Sequence, residues 1–146
     1  MYDKSIIDAL RHWLTACPTI LRTKRFGVDN IAETEEFAII SSPSTPNVVE
    51  DITGKVKLAP NQTQNFIFAN RMPYGKDIAT NLDNLSWWEE TCAWIQDQNY
   101  EGNFPLIQGL KIRRIIPTLS AYPAQTGTGN AVYQIQIAVS YTIIQN

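Results

Sequence analysis

The residues that could perform chemistry in this chain of 146 residues are few and scattered. The one histidine, His12, lies five residues before Cys17, and that spacing on a helix places the two side chains on different faces. They therefore do not form the base and nucleophile pair that covalent catalysis requires. His12 is interpreted as a surface or boundary residue, because no carboxylate follows it at the third or fourth position. With only two cysteines, Cys17 and Cys92, we expect both to be reduced, buried residues of an intracellular protein.

Metal-dependent and carboxylate chemistry also lack the residues that they need. A structural zinc site takes about four Cys or His ligands, and the chain offers three such residues, far apart. The run Glu33-Thr34-Glu35-Glu36 lacks the pattern of a calcium loop. Glu89 and Glu90 are neighbours on a predicted helix, where they do not face each other. The sequence thus predicts no catalytic residue, no metal site, no cofactor and no enzyme activity.

One basic run, at Lys111, Arg113 and Arg114, could contact nucleic acid. We expect it to lie on a strand over residues 110–119, with Lys111 and Arg113 on one face and Arg114 on the other, alongside the isoleucines. The run has no interleaved aromatic residues, and a net charge of -2 gives no general attraction to DNA. Contact with DNA is therefore kept as the alternative interpretation.

The elements that must position these residues begin with a helix over residues 4–17, where apolar residues recur at helical spacing. Asp3 or Ser5 can cap its start, since their side-chain oxygens accept from free backbone N–H groups. Two short strands rich in β-branched and aromatic residues follow at about 26–31 and 36–41.

A hairpin arm is predicted at about residues 47–60, between two stretches rich in turn-forming residues. Two-stranded hairpins are marginal alone and gain order from a neighbour. The apolar residues of this arm are therefore candidates for a contact between subunits: Val48, Val49, Ile52 and Val56.

The central segment contains a strand at 65–71, a tight turn and a helical region that starts at residue 77. Ser86 and Glu89 have the spacing of a capping box, in which each side chain accepts from the backbone N–H of the other residue. A new or kinked helix is therefore predicted from Ser86 to about Gln98.

Three tryptophans of this helix are divided between two faces. One stripe is assigned to the core and consists of Leu85, Trp88, Cys92 and Ile95. Trp87 and Trp94 fall on nearly the opposite side and are predicted to form a protein interface. The alternative is that the first helix or a loop of the same chain covers them.

The last third of the chain predicts a long hairpin. Residues 121–130, rich in small residues, are expected to form a flexible loop, and residues 131–144 alternate apolar and polar side chains as a strand does. The whole chain, 1–146, is expected to be one α+β domain: a mainly antiparallel sheet with the N-terminal helix and the Trp-rich helix packed on it. No signal peptide or apolar stretch of about 20 residues is visible, so no membrane association is expected.

The central segment resembles a family of small proteins from the tail modules of phages and prophages of Gram-positive bacteria, known as tail terminator or minor capsid proteins. The matching residues are Phe68-Ala69-Asn70-Arg71, Tyr74-Gly75, Asp77, Asn81-Leu82-Asp83-Asn84, Trp88-Glu89, Trp94-Ile95, Gln98, Gly102-Asn103-Phe104-Pro105 and, in the last strand, 131–136. The match is specific between residues 66 and 108 and loose between 22 and 62, while the order of elements matches over nearly the whole chain.

The resemblance implies a structural protein of the virion that is made in the host cytoplasm. Tail terminators form a ring, commonly hexameric, at the head-proximal end of the tail tube. The ring stops polymerisation of the tube protein and offers a docking surface to the neck or head connector. The alternative is a head-completion or connector protein that contacts DNA. A charged fraction of 18% is low for a solitary domain and agrees with a surface that partners cover.

Overall fold

A five-stranded sheet organises the described part of the protein, which comprises residues 5–20, 26–29, 31, 37–127 and 129–144 of a computed structural model. The elements are α1 (Ile6–Leu14), β1 (Phe26–Val28), β2 (Phe37–Ser41), β3 (Val48–Glu50), β4 (Val56–Leu58), β5 (Asn61–Pro73), α2 (Ile78–Glu101), β6 (Leu110–Thr126) and β7 (Asn130–Ile143). The sheet order is β1-β2-β5-β7-β6, with β1 and β2 parallel and the other pairs antiparallel. The expected α+β fold with a mainly antiparallel sheet is confirmed.

The core lies between one face of this sheet and the two helices. Alternate side chains of the two central strands, β5 and β7, point into it and are almost fully buried. On β7 these are Tyr133, Ile135, Ile137 and Val139, as the alternation predicts. The same alternation places Phe66 and Phe68 of β5 beside them, because Phe68 is directly opposite Ile135 in the register.

Helix α1 is shorter than the sequence pattern suggests. Ser5 caps it, since its Oγ accepts from the N–H of Asp8 at 3.2 Å, and the helix ends at Leu14 rather than near residue 17. The apolar residues on its inner face, Leu10 and Leu14, are buried. The other predicted cap, Asp3, lies outside the described residues.

Helix α2 is one continuous helix, so the prediction of a new helix at Ser86 is wrong. Its cap is Asp77, which accepts from the N–H of Ala79 at 3.1 Å, and it ends where Gly102 adopts a φ of 70°. Ser86 is exposed in the interior of the helix. Backbone N–H groups there already bond within the helix, so a capping box has no free donor to satisfy. No helix among the described residues is long and apolar enough to cross a membrane.

Strand β6 differs from its prediction in both length and register. It continues to Thr126, so residues 121–126 belong to the strand and not to a flexible loop. A β-bulge at Arg113 inserts one extra residue into β6: Ile112 pairs with Tyr141 of β7, and Arg114 pairs with the adjacent Ser140. Because of this extra residue, Ile112 and Ile115 both face the core, while Arg114 is exposed together with Lys111. The prediction that Arg114 shares a face with Ile112 is therefore wrong, although Arg114 and Ile116 do lie on one face.

The outer edge of β6 is irregular along its length. Three further register shifts follow the first, and Pro117 and Pro123 contribute no backbone N–H. At the centre of this edge, Asn99 of α2 binds the backbone of Ile115: its Oδ1 accepts from the N–H at 2.8 Å and its Nδ2 donates to the carbonyl at 2.5 Å. The Nδ2 also donates to the carbonyl of Ile95 at 2.7 Å. One amide thus joins the last turns of α2 to the sheet.

Asn99→Ala should lower the free energy of unfolding by about 1–3 kcal/mol, because it leaves both backbone groups of Ile115 without their partner in a half-buried position. Urea denaturation of the two proteins measures this loss. Asn103→Ala is the matched control, because Asn103 is exposed and its side chain binds only another side chain, Gln98. Equal stability of the two variants would show that Asn99 does not fasten α2 to β6.

Candidate functional site

Trp87 is covered by its own chain, which contradicts the premise of the predicted interface. Its ring stacks on Phe37 at 5.7 Å with an interplanar angle of 15° and meets Trp88 edge-on at 4.8 Å. Its indole N–H donates to the backbone carbonyl of Thr19 at 3.0 Å. Trp87 therefore ties α2 to β2 and to the turn after α1, and these contacts satisfy both its apolar surface and its polar atom.

Trp94 is covered in the same way, by the first helix. Its ring centroid lies 4.9 Å from that of Trp13, whose indole N–H donates to the backbone carbonyl of Asn103 at 2.8 Å. The alternative, that the first helix or a loop of the same chain covers the two tryptophans, holds for Trp94, which packs on Trp13 of α1, whereas Trp87 packs on β2 and the turn at Thr19; both rings stay partly exposed.

The two-face interpretation of α2 failed because the centre of its buried face is polar. At about 100° per residue, Trp87 lies only about 100° from Trp88, and not opposite to it. Between these two stripes lies Thr91, which is fully buried. Leu85, which was assigned to the core, is 40% exposed. A prediction from apolar residues alone therefore placed the buried face of α2 too far to one side. The observed buried face is centred on Thr91.

A chain of hydrogen bonds explains how Thr91 is accommodated. Its hydroxyl donates to the carbonyl of Trp87 at 2.8 Å and also meets the hydroxyl of Thr19 at 2.6 Å. Because Thr91 has a single hydroxyl hydrogen, Thr19 must donate to it, and Cys17, whose Sγ is 3.1 Å from Thr19 Oγ1, must then donate to Thr19. The hydroxyls of Thr91 and Thr19 and the thiol of Cys17 thus all have partners, so these hydrogen bonds stabilise the fold.

Trp87→Ala should destabilise the protein by about 3–5 kcal/mol, as expected for a large aromatic residue removed from a core. Trp87→Phe keeps a ring against Phe37 but loses the bond to Thr19, so we expect a smaller loss, of about 1 kcal/mol. Urea denaturation at low protein concentration separates these effects from any loss of self-association. A Trp87→Ala protein that unfolds like the wild type but no longer associates would restore the interface role of Trp87.

The candidate chemical residues do not assemble into a reactive site. His12 Nε2 lies 3.9 Å from the carboxylate of Asp8, four residues before it, where the sequence interpretation had looked only at the residues that follow. Both side chains are well exposed, and a surface pair of this kind contributes little. Cys17 and Cys92 are free thiols. No group of three or more potential metal ligands occurs among the described residues.

Burial raises the pKa of the Cys92 thiol above its ordinary value of 9.0, and the nearby Cys17 adds to the effect. The thiol is therefore neutral at pH 7, and we expect iodoacetamide to alkylate it more slowly than a cysteine in an unfolded peptide. Mass spectrometry of the Cys92 peptide over a pH series measures this rate. Alkylation at pH 7 as fast as in urea-unfolded protein would contradict the expected protection.

The β3–β4 hairpin, in contrast, is exposed on both faces and is the most prominent apolar feature of the surface. It is termed the arm below and comprises residues 47–59. Its register pairs Val48 with Leu58 and Glu50 with Val56, so these four side chains share one face. Val49 lies on the other face, and Ile52, at the tip, has 102% relative exposure. The predicted arm is present, and its predicted contact residues are free of cover within the described chain.

The base of the arm is fixed to the sheet by one buried glutamine. The Nε2 of Gln62 donates to the carbonyls of Asn47 and Ala59, at 2.7 and 2.8 Å, and its Oε1 accepts from the N–H of Asn47 at 2.9 Å. Gln62 thus binds both strands of the arm where they leave the sheet.

The tip is fixed by Asp51. One carboxylate oxygen accepts from the N–H and hydroxyl of Thr53, at 2.9 and 2.6 Å, and from the N–H of Lys55 at 3.0 Å. The hydroxyl of Thr53 contributes most to holding the pKa of Asp51 below its ordinary value, followed by the N–H of Lys55. Gly54 provides the positive φ of 86° that this turn requires. The arm is therefore ordered at both ends before any partner binds.

The three candidate basic residues lie together along the first part of β6. Lys111, Arg113 and Arg114 are all exposed. The Nε of Arg113 donates to the hydroxyl of Thr142 on β7 at 2.5 Å, which directs this side chain along the sheet. The structure thus brings the three cations to one edge of the sheet.

An open pocket of about 700 Å³ adjoins this basic edge. Its wall is the segment after α2, which includes the exposed Leu106, and it is completed by Ile144 and by Lys111 and Arg113. Phe104 anchors this segment, because its ring packs against the core. Residues 102–105 are among those that carry the resemblance, but the sequence pattern did not predict a pocket here. The signal for it was the apolar run Phe104-Pro105-Leu106-Ile107 between two glycines.

Comparisons with known proteins give no family assignment. No family model and no curated protein matches the chain. Several solved structures match. One of them, whose name describes no function, is 13% identical over an alignment that covers 95% of this chain and 92% of that chain, with a TM-score of 0.49. A similarity at this level says nothing about function.

Proposed function

We propose that the protein is a structural subunit of the tail terminator type, which assembles into a ring and caps the head-proximal end of a phage tail tube. The observation that carries the proposal is the arm: apolar side chains on a hairpin that is ordered at its base by Gln62 and at its tip by Asp51. Apolar side chains exposed to solvent add no stability to an isolated domain, and a group of them of this kind marks a contact surface.

The resemblance of residues 66–108 to tail terminators supports the same proposal. Many of the matching residues have structural roles in this fold. Asp77 caps α2, Asn84 Nδ2 donates to the carbonyl of Pro73 at 2.6 Å, and Trp88 and Ile95 are buried. The matching residues thus specify the body of the domain, while the arm lies in the loosely matching part. We infer that relatives would share the body and differ in how it contacts its neighbours.

The proposed mechanism is one of surface complementarity. Each subunit contacts the next through two different patches, so the contact is heterologous and closes into a ring when the rotation between subunits permits. One face of the ring contacts the last layer of the tube protein and the other receives the neck or head connector. Polymerisation of the tube protein stops because the second face of the ring does not offer another binding surface for the tube protein. In this proposal the protein is part of the virion.

A second candidate function, a connector or head-completion protein that contacts DNA, is favoured by the exposed cations on β6. Lys111, Arg113 and Arg114 lie within four residues on one strand and are all exposed, and the bulge at Arg113 turns Arg114 away from the core. Such a site binds phosphates without reading sequence. It predicts DNA binding that weakens steeply with salt and is lost when the three residues are changed to glutamine.

The terminator proposal predicts that removal of the protein gives overlong tails, and that Ile52→Asp gives the same result. The carboxylate places a charge on the apolar tip of the arm, so we expect self-association to need a protein concentration about tenfold higher or more, since burying an unpaired charge costs at least about 1.4 kcal/mol. Electron microscopy measures tail length, and sedimentation measures association.

Ile78→Asp is the matched control. Ile78 is also an exposed isoleucine, at 75%, but it lies in the first turn of α2, where an acidic residue is tolerated. We expect it to leave both tail length and association unchanged. Tails of normal length without the protein, combined with salt-sensitive DNA binding, would reject the terminator role in favour of the connector.

A further inference from the structure

The arm and the pocket beside β6 are complementary in polarity. On the face of the arm that carries Val48, Val56 and Leu58, these apolar residues are each more than half exposed, and Glu50 is the one charged residue of the four. The described residues that line the pocket are mainly apolar, and their charged members, Lys111 and Arg113, are both cations. The apolar face of the arm carries one anion, and the apolar pocket carries two cations, so the two surfaces are complementary in charge.

The pocket also has the size and fixed shape that a hairpin end requires. Its volume of about 700 Å³ exceeds what a single side chain fills and lies in the range of pockets that take a ligand of many atoms. Its wall is held at two points: the indole of Trp13 binds the carbonyl of Asn103, and the N–H of Ile144 donates to the carbonyl of Gly109 at 2.9 Å. The lining includes no residue of the arm of the same molecule.

Both surfaces lie at the same end of the sheet. The arm joins β5 at Asn61, which pairs with Thr142 of β7, and the carbonyl of Pro60 accepts from Ile143 at 2.7 Å. The pocket lies at the start of β6, where Leu110 pairs with Ile143 on the side of β7 opposite β5. Two copies related by rotation about an axis along the strands therefore bring the arm of one copy to the level of the pocket of the next.

We propose that the arm of one copy docks into the pocket beside β6 of the next copy, with Ile52 and the Val48 face against the apolar wall and Glu50 on Lys111 and Arg113. The docking partner is thus a second copy of this chain, and the inference rests on the self-association in the proposed function. Arg113 uses Nε for Thr142, and its remaining N–H groups stay available for the carboxylate in the paired geometry that guanidinium groups favour.

A charge exchange tests the polar part of this contact. Glu50→Lys and Lys111→Glu should each raise the dissociation constant of self-association about tenfold, because each places like charges opposite each other. The double variant should recover most of the wild-type affinity. Glu90→Lys, a reversal at an exposed position of α2, is the matched control and should leave association unchanged. Additive losses in the double variant would overturn the pairing.

A mixing experiment tests the apolar part and its direction. Ile52→Asp disables the arm and Leu106→Asp disables the pocket, and both residues are exposed enough for the subunits to stay folded, which circular dichroism verifies. Each variant alone should be monomeric at concentrations where the wild type assembles. Mixed, they should form one-to-one dimers and no larger species, because each pair retains a single intact arm and a single intact pocket.

The outcomes separate this inference from the proposed function. Normal assembly and normal tail length with Leu106→Asp would overturn the docking and leave the terminator role intact. Two monomeric variants that do not combine on mixing would also overturn it. Heterodimers on mixing, together with tails of normal length when the protein is absent, would support the docking and reject the terminator role.

Discussion

The packing of α2 across the sheet through aromatic rings is the interaction on which the other features depend. Trp87 stacks on Phe37 of β2, and Trp88 meets Phe68 of β5 at 5.3 Å with its ring edge-on. These contacts cross from one helix to two strands, so they fix where α2 lies and, through Asn99, which part of β6 it reaches. Since Trp87 and Trp88 are used for this purpose, much of their apolar surface is buried within the chain. The apolar residues of the arm are more exposed than Trp87 and Trp94.

The arm is ordered independently of the core. It is attached through Gln62 and closed by Asp51, and its apolar residues lie in solvent. The pocket wall, in contrast, is anchored to the core by Phe104 and held by the hydrogen bonds of Trp13 and Gly109. This division allows the arm to change in sequence without disturbing the sheet.

Local sequence patterns predicted those elements whose faces are set by alternation alone, and β7 is the clearest case. They failed where a distant contact decides the outcome. The bulge at Arg113 exists because Ile112 and Ile115 must both reach the core opposite β7, and no residue near Arg113 signals it. The buried face of α2 was misplaced because its centre, Thr91, is polar and is satisfied by Thr19, 72 residues away in the sequence. The arm was predictable because turn residues mark both of its ends, whereas the pocket depends on the meeting of β6 with the last residues of the chain.

The irregular edge of β6 has a consequence for the solution behaviour of the isolated chain. An unpaired strand of this length could template fibrils by adding a strand from another molecule. Here the bulges interrupt the regular spacing of backbone groups along β6, and Pro117 and Pro123 lack an N–H donor. Asn99 already binds the N–H and the carbonyl of Ile115. Growth by strand addition is therefore suppressed along this edge. A chain built in this way can reach high concentration without growing strand by strand along this edge.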